Sequence, residues 1–128
     1  MAVDKNMNIL IVDDYKTMLR IIRNLLAQLG FNNVEEALDG VTAFQKLKEK
    51  AYDLIISDWN MVPITGLELL KKVRADEQLK AVPFVMITAE SKPDNVIAAK
   101  QAGVNNYIVK PFNADTLKVK LTAVLGEF

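Results

Sequence analysis

The chain carries three aspartates, a threonine and a lysine that directly follow short apolar runs. These residues are Asp13, Asp14, Asp58, Thr88 and Lys110. If the apolar runs are parallel strands, their carboxyl ends meet at one edge of a sheet, where open α/β proteins bind ligands. The sequence therefore predicts a single site that combines three carboxylates, a hydroxyl and an ammonium group.

These residue types fit phosphoryl transfer. Crowded carboxylates repel one another unless a cation joins them, and Mg²⁺ is the hard ion that combines carboxylates with phosphate oxygens. Asp58 follows a dry apolar run, which makes it the better candidate nucleophile for an aspartyl phosphate. Lys110 would then place a positive charge on a phosphoryl oxygen, and the Thr88 hydroxyl would hydrogen-bond another. Such a transfer depends mainly on positioning and charge neutralisation, and these side chains supply both.

Each of these residues, taken alone, also has an ordinary structural explanation. Asp14 suits a helix cap, and Asp58 suits a turn. Thr88 suits the end of a strand, and Lys110 suits a solvated surface position. Their joint placement at predicted strand ends favours the functional interpretation.

The segments that must position these residues alternate between short apolar runs and helical stripes. The runs are Asn8–Val12, Leu54–Ser57, Phe84–Ile87 and Tyr107–Val109, with a weaker one around Val34–Ala37. Apolar residues at helical spacing follow each run; Gly30 and Gly103 suit helix ends, and Asn113 suits the cap of the last helix. Five βα units with right-handed crossovers predict an α/β fold, a (βα)5 doubly wound parallel sheet.

Composition excludes several kinds of chemistry. The 128 residues include no cysteine and no histidine, which excludes thiol catalysis, disulfides and imidazole bases. Lysine plus arginine and aspartate plus glutamate each total 16, so we expect no nucleic-acid or membrane partner. Neither a linker nor a targeting segment is recognisable, and we expect one domain over residues 1–128, a monomer in the cytoplasm.

The sequence resembles bacterial response-regulator receiver domains, in particular the single-domain chemotaxis regulators. The matching motifs span nearly the whole chain in family order: Asp13-Asp14, Ser-Asp-Trp-Asn-Met around Asp58, Gly66-Leu-Glu-Leu-Leu, Met-Ile-Thr-Ala-Glu ending at Glu90, and Asn-Asn-Tyr-Ile-Val-Lys-Pro-Phe ending at Phe112. The resemblance implies a flavodoxin-like sheet with strand order 2-1-3-4-5.

The resemblance also implies site roles. Asp58 would be the phosphoacceptor, supplied by a phosphohistidine on a sensor histidine kinase. Asp13, Asp14 and Asp58 would bind Mg²⁺ together with the backbone carbonyl of Asn60. A phosphatase is a further partner that the resemblance allows.

Signal output is implied in the same way. Tyr107 would move inward as Thr88 is drawn to the phosphoryl group, and Lys110-Pro111 would be a cis bond. A surface of about residues 92–102, 106–109 and 113–125 would bind the flagellar motor switch protein. The remaining switch and output positions are Trp59, Ala89, Glu90 and Lys92.

Other functions remain open from the residues alone. A receiver could instead act as a phosphate sink or a phosphorelay intermediate. A Mg²⁺-dependent phosphatase with an aspartyl nucleophile and a flavin-binding module share the architecture. We expect no enzyme activity beyond the chain's own phosphoryl transfer and autodephosphorylation. Two departures from the family pattern, the later position of Pro63 and the presence of Tyr15, lie close to the predicted site.

Overall fold

The computed structural model describes residues 3–89 and 93–128, within which strands and helices alternate regularly. In chain order the elements are β1 (Ile9–Val12), α1 (Lys16–Gln28), β2 (Val34–Ala37), α2 (Gly40–Glu49), β3 (Leu54–Asp58), α3 (Gly66–Ala75), β4 (Phe84–Thr88), α4 (Pro93–Gln101), β5 (Asn106–Val109) and α5 (Ala114–Leu125). Each strand is followed by a helix, as the alternation of patterns predicts.

All strand pairs in the sheet are parallel, and the strand order is β2-β1-β3-β4-β5. This confirms the predicted (βα)5 doubly wound, flavodoxin-like fold. Because β1 and β3 lie side by side near the middle of the sheet, the residues that follow them are brought together.

The apolar strands are central because helices cover both faces of the sheet. Every residue of β1, β3 and β4 is buried. Along β1 the side chains alternate: Ile9 and Ile11 pack with α1 and α5, whereas Leu10 and Val12 pack with α2 and α3. The core is therefore two apolar layers with the sheet between them.

The predicted helix ends agree with the structure. Gly30 and Gly103 adopt φ values of +98° and +96°, a conformation that favours glycine. The Asn113 side chain accepts a hydrogen bond from the Thr116 amide and caps α5. At the start of α1, however, the cap residue is Tyr15 and no side chain caps the helix, so Asp14 does not serve as the cap.

Two strands extend one residue beyond their predicted ends. Asp58 is the last residue of β3 and pairs with Ile87, while Thr88 is the last residue of β4 and pairs with Val109. The backbone ladder continues because pairing depends on main-chain groups, whereas the sequence pattern ends at the first polar side chain. In the described part of the chain, no helix combines the length and the apolar character needed to cross a membrane.

Candidate functional site

Three carboxylates converge at the carboxyl edge of the sheet. One carboxylate oxygen each from Asp13, Asp14 and Asp58 lies within 4.8 Å of the other two. Asp13 and Asp14 follow β1 and Asp58 ends the neighbouring β3, so the adjacency of these strands produces the cluster. The structure thus brings together the three acids that the sequence predicts to share a site.

Asp13 is the most confined of these acids, since only 1% of its surface is exposed. Its Oδ1 atom accepts a hydrogen bond of 2.9 Å from the Tyr15 amide. Among the described residues its Oδ2 atom is buried with no hydrogen-bond partner. The pKa of Asp13 is raised to about 6, and burial is the largest cause. The Tyr15 amide and the charge of Lys110 lower this pKa, whereas the charges of Asp58 and Asp14 raise it.

Lys110 supplies the positive charge of the site. Its Nζ atom donates a hydrogen bond of 2.9 Å to Oδ1 of Asp58 and lies 3.9 Å from Oδ2 of Asp13. The Lys110 amide also donates to the Thr88 carbonyl, which aligns the end of β5 with the end of β4. The Lys110-Pro111 peptide bond is cis, as the resemblance implies.

The remaining predicted positions lie at the same edge but differ in exposure. Thr88 is fully buried, whereas Ala89 is exposed in the loop that follows β4. Two predicted switch and output positions, Glu90 and Lys92, lie outside the described residues. Asn60 is exposed in the loop after β3, and the role of its carbonyl as a metal ligand stays a prediction.

The loop after β3 is shaped by hydrogen bonds to one backbone carbonyl. The Trp59 carbonyl accepts from the amides of Met61 and Gly66, and the Trp59 amide donates to the Ile87 carbonyl. The loop also contains a cis peptide bond, Val62-Pro63, in addition to the one at Lys110-Pro111. Its sequence departs from the family pattern at this point. The loop is therefore fastened to β4 immediately beside Asp58.

Two features of the site could not be read from the sequence pattern. A Cβ atom at Gly66 would lie 2.2 Å from the Asp58 carbonyl oxygen and 2.8 Å from the Met86 sulfur, so only glycine fits there. The rings of Trp59 and Tyr107 make an edge-on contact, with centroids 6.4 Å apart and planes at 74°. The glycine was recognisable only as part of a family motif, and the ring contact depends on the register of β4 and β5.

The donor set fits a hard divalent cation. All three clustered side chains offer carboxylate oxygens, which are the ligands that Mg²⁺ and Ca²⁺ prefer. The buried Oδ2 atom of Asp13, which lacks a hydrogen-bond partner among the described residues, is a position where a cation would offset the cost of burial. The acidic pocket is thus suited to a metal ion.

Comparisons with known proteins agree with this geometry. The family model for the response regulator receiver domain matches residues 9–122. The chain is 58% identical to chemotaxis protein CheY-3 of Vibrio cholerae over 121 residues, covering 94% of this chain and 93% of the relative.

Solved structures give the same result. The chemotaxis protein CheY4 of Vibrio cholerae superposes with a TM-score of 0.87 at 38% identity, covering 94% of this chain and 99% of that one. The receiver domain of the sensor histidine kinase PA1611 from Pseudomonas aeruginosa, solved with a magnesium ion coordinated in its active site cleft, gives a TM-score of 0.85 at 29% identity, with 95% of this chain and 99% of that chain covered.

The chain therefore belongs to the response regulator receiver family. Members of this family are signalling proteins of two-component systems rather than enzymes in the ordinary sense. This membership favours the signalling function over the phosphatase and flavin-binding alternatives.

Proposed function

We propose that the chain is a phosphorylation-activated chemotaxis response regulator whose phosphoacceptor is Asp58. The observation that carries this proposal is the cluster of three carboxylates, of which Asp13 and Asp58 are buried, with the Lys110 ammonium group hydrogen-bonded to Asp58. The 58% identity to a chemotaxis protein over nearly the whole chain supports the signalling context.

The phosphoryl group comes from a phosphohistidine of a sensor histidine kinase. A carboxylate oxygen of Asp58 forms a bond to phosphorus, while the nitrogen–phosphorus bond of the donor breaks and the imidazole leaves with the bonding electrons. Lys110 already lies against Asp58, so a short movement of its flexible side chain transfers the ammonium group to a phosphoryl oxygen. Water later attacks phosphorus, the bond between phosphorus and the Asp58 oxygen breaks, and inorganic phosphate leaves. This step returns Asp58 to its carboxylate and is the chain's own dephosphorylation.

Asp13, Asp14 and Asp58 would hold Mg²⁺, with the Asn60 carbonyl as a further ligand. When bound, the ion supplies charge neutralisation between the attacking carboxylate and the incoming phosphoryl group. Tyr15 contributes through its backbone, because its amide fixes one oxygen of Asp13 and leaves the other facing the cluster.

Output passes through the face formed by α4, β5 and α5 to the flagellar motor switch protein. Exposed apolar side chains stand on this face, including Ile97, Val109 and Val119, of which 51%, 40% and 66% is exposed. A surface depression of about 430 Å³ on α5 is lined by Asp115, Lys118, Val119 and Thr122. Apolar positions flanked by charges suit a protein partner. Thr88 and Tyr107 connect this face to Asp58, since both stand on strands whose ends border the site.

The proposal is tested by phosphorylation with acetyl phosphate and Mg²⁺, followed by peptide mass spectrometry. We expect one labile adduct, on Asp58, and none in Asp58→Asn. Label that persists in Asp58→Asn would refute the assignment. Phosphorylation without a gain in affinity for the motor switch protein would instead favour the phosphate-sink function.

A further inference from the structure

Arg74, in the last turn of α3, contacts four oxygen acceptors from two other segments of the chain. Its Nε atom donates to the Gly103 carbonyl at 2.9 Å. Its Nη1 atom donates to the carbonyls of Lys80 and Val82, at 3.2 and 2.7 Å, and its Nη2 atom donates to Oδ1 of Asn105 at 2.7 Å. The planar guanidinium thus joins the end of α3, the segment before β4 and the turn between α4 and β5.

The turn between α4 and β5 is built around this side chain. Gly103 has a φ of +96°, and a Cβ atom there would lie 3.0 Å from Nε of Arg74 and 3.3 Å from its Cδ and Cγ atoms. The Val104 amide donates to the Ala99 carbonyl and the Gly103 amide to the Lys100 carbonyl, closing the helix in the usual glycine-terminated way. The aliphatic part of the Arg74 side chain therefore packs against the turn, while its guanidinium group donates to the Gly103 carbonyl of the same turn.

Asn105 extends the connection to the strands. Its Oδ1 atom accepts from the Phe84 amide at 2.8 Å as well as from Arg74, and its own amide donates to the Phe84 carbonyl at 2.9 Å. The next residue, Asn106, donates from Nδ2 to the Lys120 carbonyl of α5 at 2.9 Å. Hydrogen bonds of the adjacent residues Asn105 and Asn106 thus connect α3, through the start of β5, to α5. Asn106 directly precedes Tyr107.

α4 has one buried residue among its nine, Ala99, close to the end of the helix that adjoins the Arg74 contacts. Asn95, Val96 and Ala98 are half-buried, and the other five residues are exposed. The deepest contact of the helix therefore lies beside the turn that Arg74 binds.

We propose that Arg74 is a positioning residue that anchors the turn between α4 and β5, so that changes at Thr88 move α4 and Tyr107 about a fixed point. This inference rests on the proposed function, because it concerns the same output face. Without this anchor, the turn would move when Thr88 moves, and Tyr107 would change its position less. A lysine at position 74 keeps the charge but lacks the planar fork that reaches separate acceptors.

The test uses the full chain labelled with fluorotyrosine and followed by ¹⁹F NMR. Its three tyrosines give three signals, of which Tyr107 reports the switch. Beryllofluoride with Mg²⁺ serves as the phosphoryl mimic, and its own fluorine signal reports occupancy of Asp58. In wild-type protein we expect the mimic to change the ratio of the inward and outward positions of the Tyr107 side chain, read from its ¹⁹F signal. In Arg74→Lys at equal occupancy, we expect that change to fall by about two- to thirtyfold.

Two further variants separate positioning from simple stabilisation. Lys48→Met removes the ion pair of 2.8 Å with Asp76 at the end of the same helix α3, and it should leave the Tyr107 response unchanged. Asn105→Ala keeps Arg74 but removes one of its acceptors, and it should reduce the response in the same direction. The unfolding midpoint of each variant is measured in parallel.

The possible results distinguish this inference from the proposed function. An unchanged Tyr107 response in folded Arg74→Lys, even with a lower unfolding midpoint, would show a purely structural residue and overturn the anchor alone. If bound beryllofluoride does not change the Tyr107 signal of the wild-type protein, both the proposed output route and the Arg74 anchor are wrong.

Discussion

The carboxyl edge and the amino edge of the sheet differ in how their charged side chains are paired. At the carboxyl edge three carboxylates crowd around one ammonium group, and a buried oxygen of Asp13 has no hydrogen-bond partner among the described residues. At the amino edge two cations are matched to amide oxygens: Arg74 contacts four acceptors, and Lys5 donates to the Leu29 carbonyl at 2.6 Å.

This difference indicates which edge of the sheet contributes mainly to the stability of the fold and which contributes mainly to function. Hydrogen-bonded cations at the amino edge join segments of the fold, so their removal should lower stability. At the carboxyl edge, the buried oxygen of Asp13 costs free energy until a cation binds, so removal of that carboxylate should impair ligand binding while sparing or improving stability.

The largest contrast is expected from two aspartates at opposite ends of the β3 segment. Asp58→Asn should abolish phosphorylation by acetyl phosphate, because the nucleophilic carboxylate is lost. Asp53→Asn, just before the strand, should leave the phosphorylation rate unchanged, because Asp53 is exposed and its side chain accepts a hydrogen bond from the Asn8 amide, far from the carboxyl edge. Intact-mass spectrometry measures both, and loss of phosphorylation in Asp53→Asn would remove the distinction between the edges.

The next effect concerns the pH dependence of stability without Mg²⁺. Burial raises the pKa of Asp13 from 3.8 to about 6, so the folded state binds more protons than the unfolded state between these values. The free energy of unfolding should therefore fall as pH rises through this window, by about 3 kcal/mol in total. Urea titrations at a series of pH values measure this slope.

Two additions sharpen that measurement. Asp13→Asn should flatten this part of the profile, since the titrating group is absent. Mg²⁺ should restore stability above the window and bind more weakly below it, because protons compete for Asp13. A wild-type profile that rises through the same window would contradict the electrostatic account of the carboxyl edge.

A smaller effect is expected at the glycine that borders the site. Gly66→Ala places a methyl group against the backbone oxygen of Asp58, and it should lower the free energy of unfolding by about 2 kcal/mol and slow phosphorylation. Gly40→Ala is the matched control, because the methyl group there meets the side chain of Ile64. Equal losses in the two variants would show that the Asp58 backbone can move freely.

The smallest effect is expected at the amino edge. Lys5→Met should lower the free energy of unfolding by about 1 kcal/mol, because it removes the bond to Leu29 and the cation–π contacts with Phe31 and Phe128. The rate of phosphorylation should not change. A slower rate would show that the two edges are coupled more directly than their contacts suggest.

Much of the fold was predictable because periodicity separates its elements cleanly. β1, β3 and β4 read as uninterrupted apolar runs since both of their faces are covered, and the glycines at 30 and 103 mark helix ends through their backbone freedom. The strand order came from the family resemblance, since local patterns do not specify which strands are neighbours.

The site was predictable as a set of residues and not as a set of contacts. Strand ends indicated that Asp13, Asp58 and Lys110 share an edge, but the pairing of Lys110 with Oδ1 of Asp58 depends on side-chain geometry. Arg74 was not singled out, because an arginine in the last turn of a helix is an ordinary feature. Its acceptors come from segments that only the tertiary fold brings together.

The path of the chain through the sheet also determines when the site can exist. Its acids come from β1 and β3, whereas the ammonium group that touches Asp58 follows β5, so the contributing residues run from 13 to 110. A nascent or truncated chain that ends before β5 would carry the aspartates without their lysine. The contact between Lys110 and Asp58 can therefore form only after β5 has been synthesised and has joined the sheet.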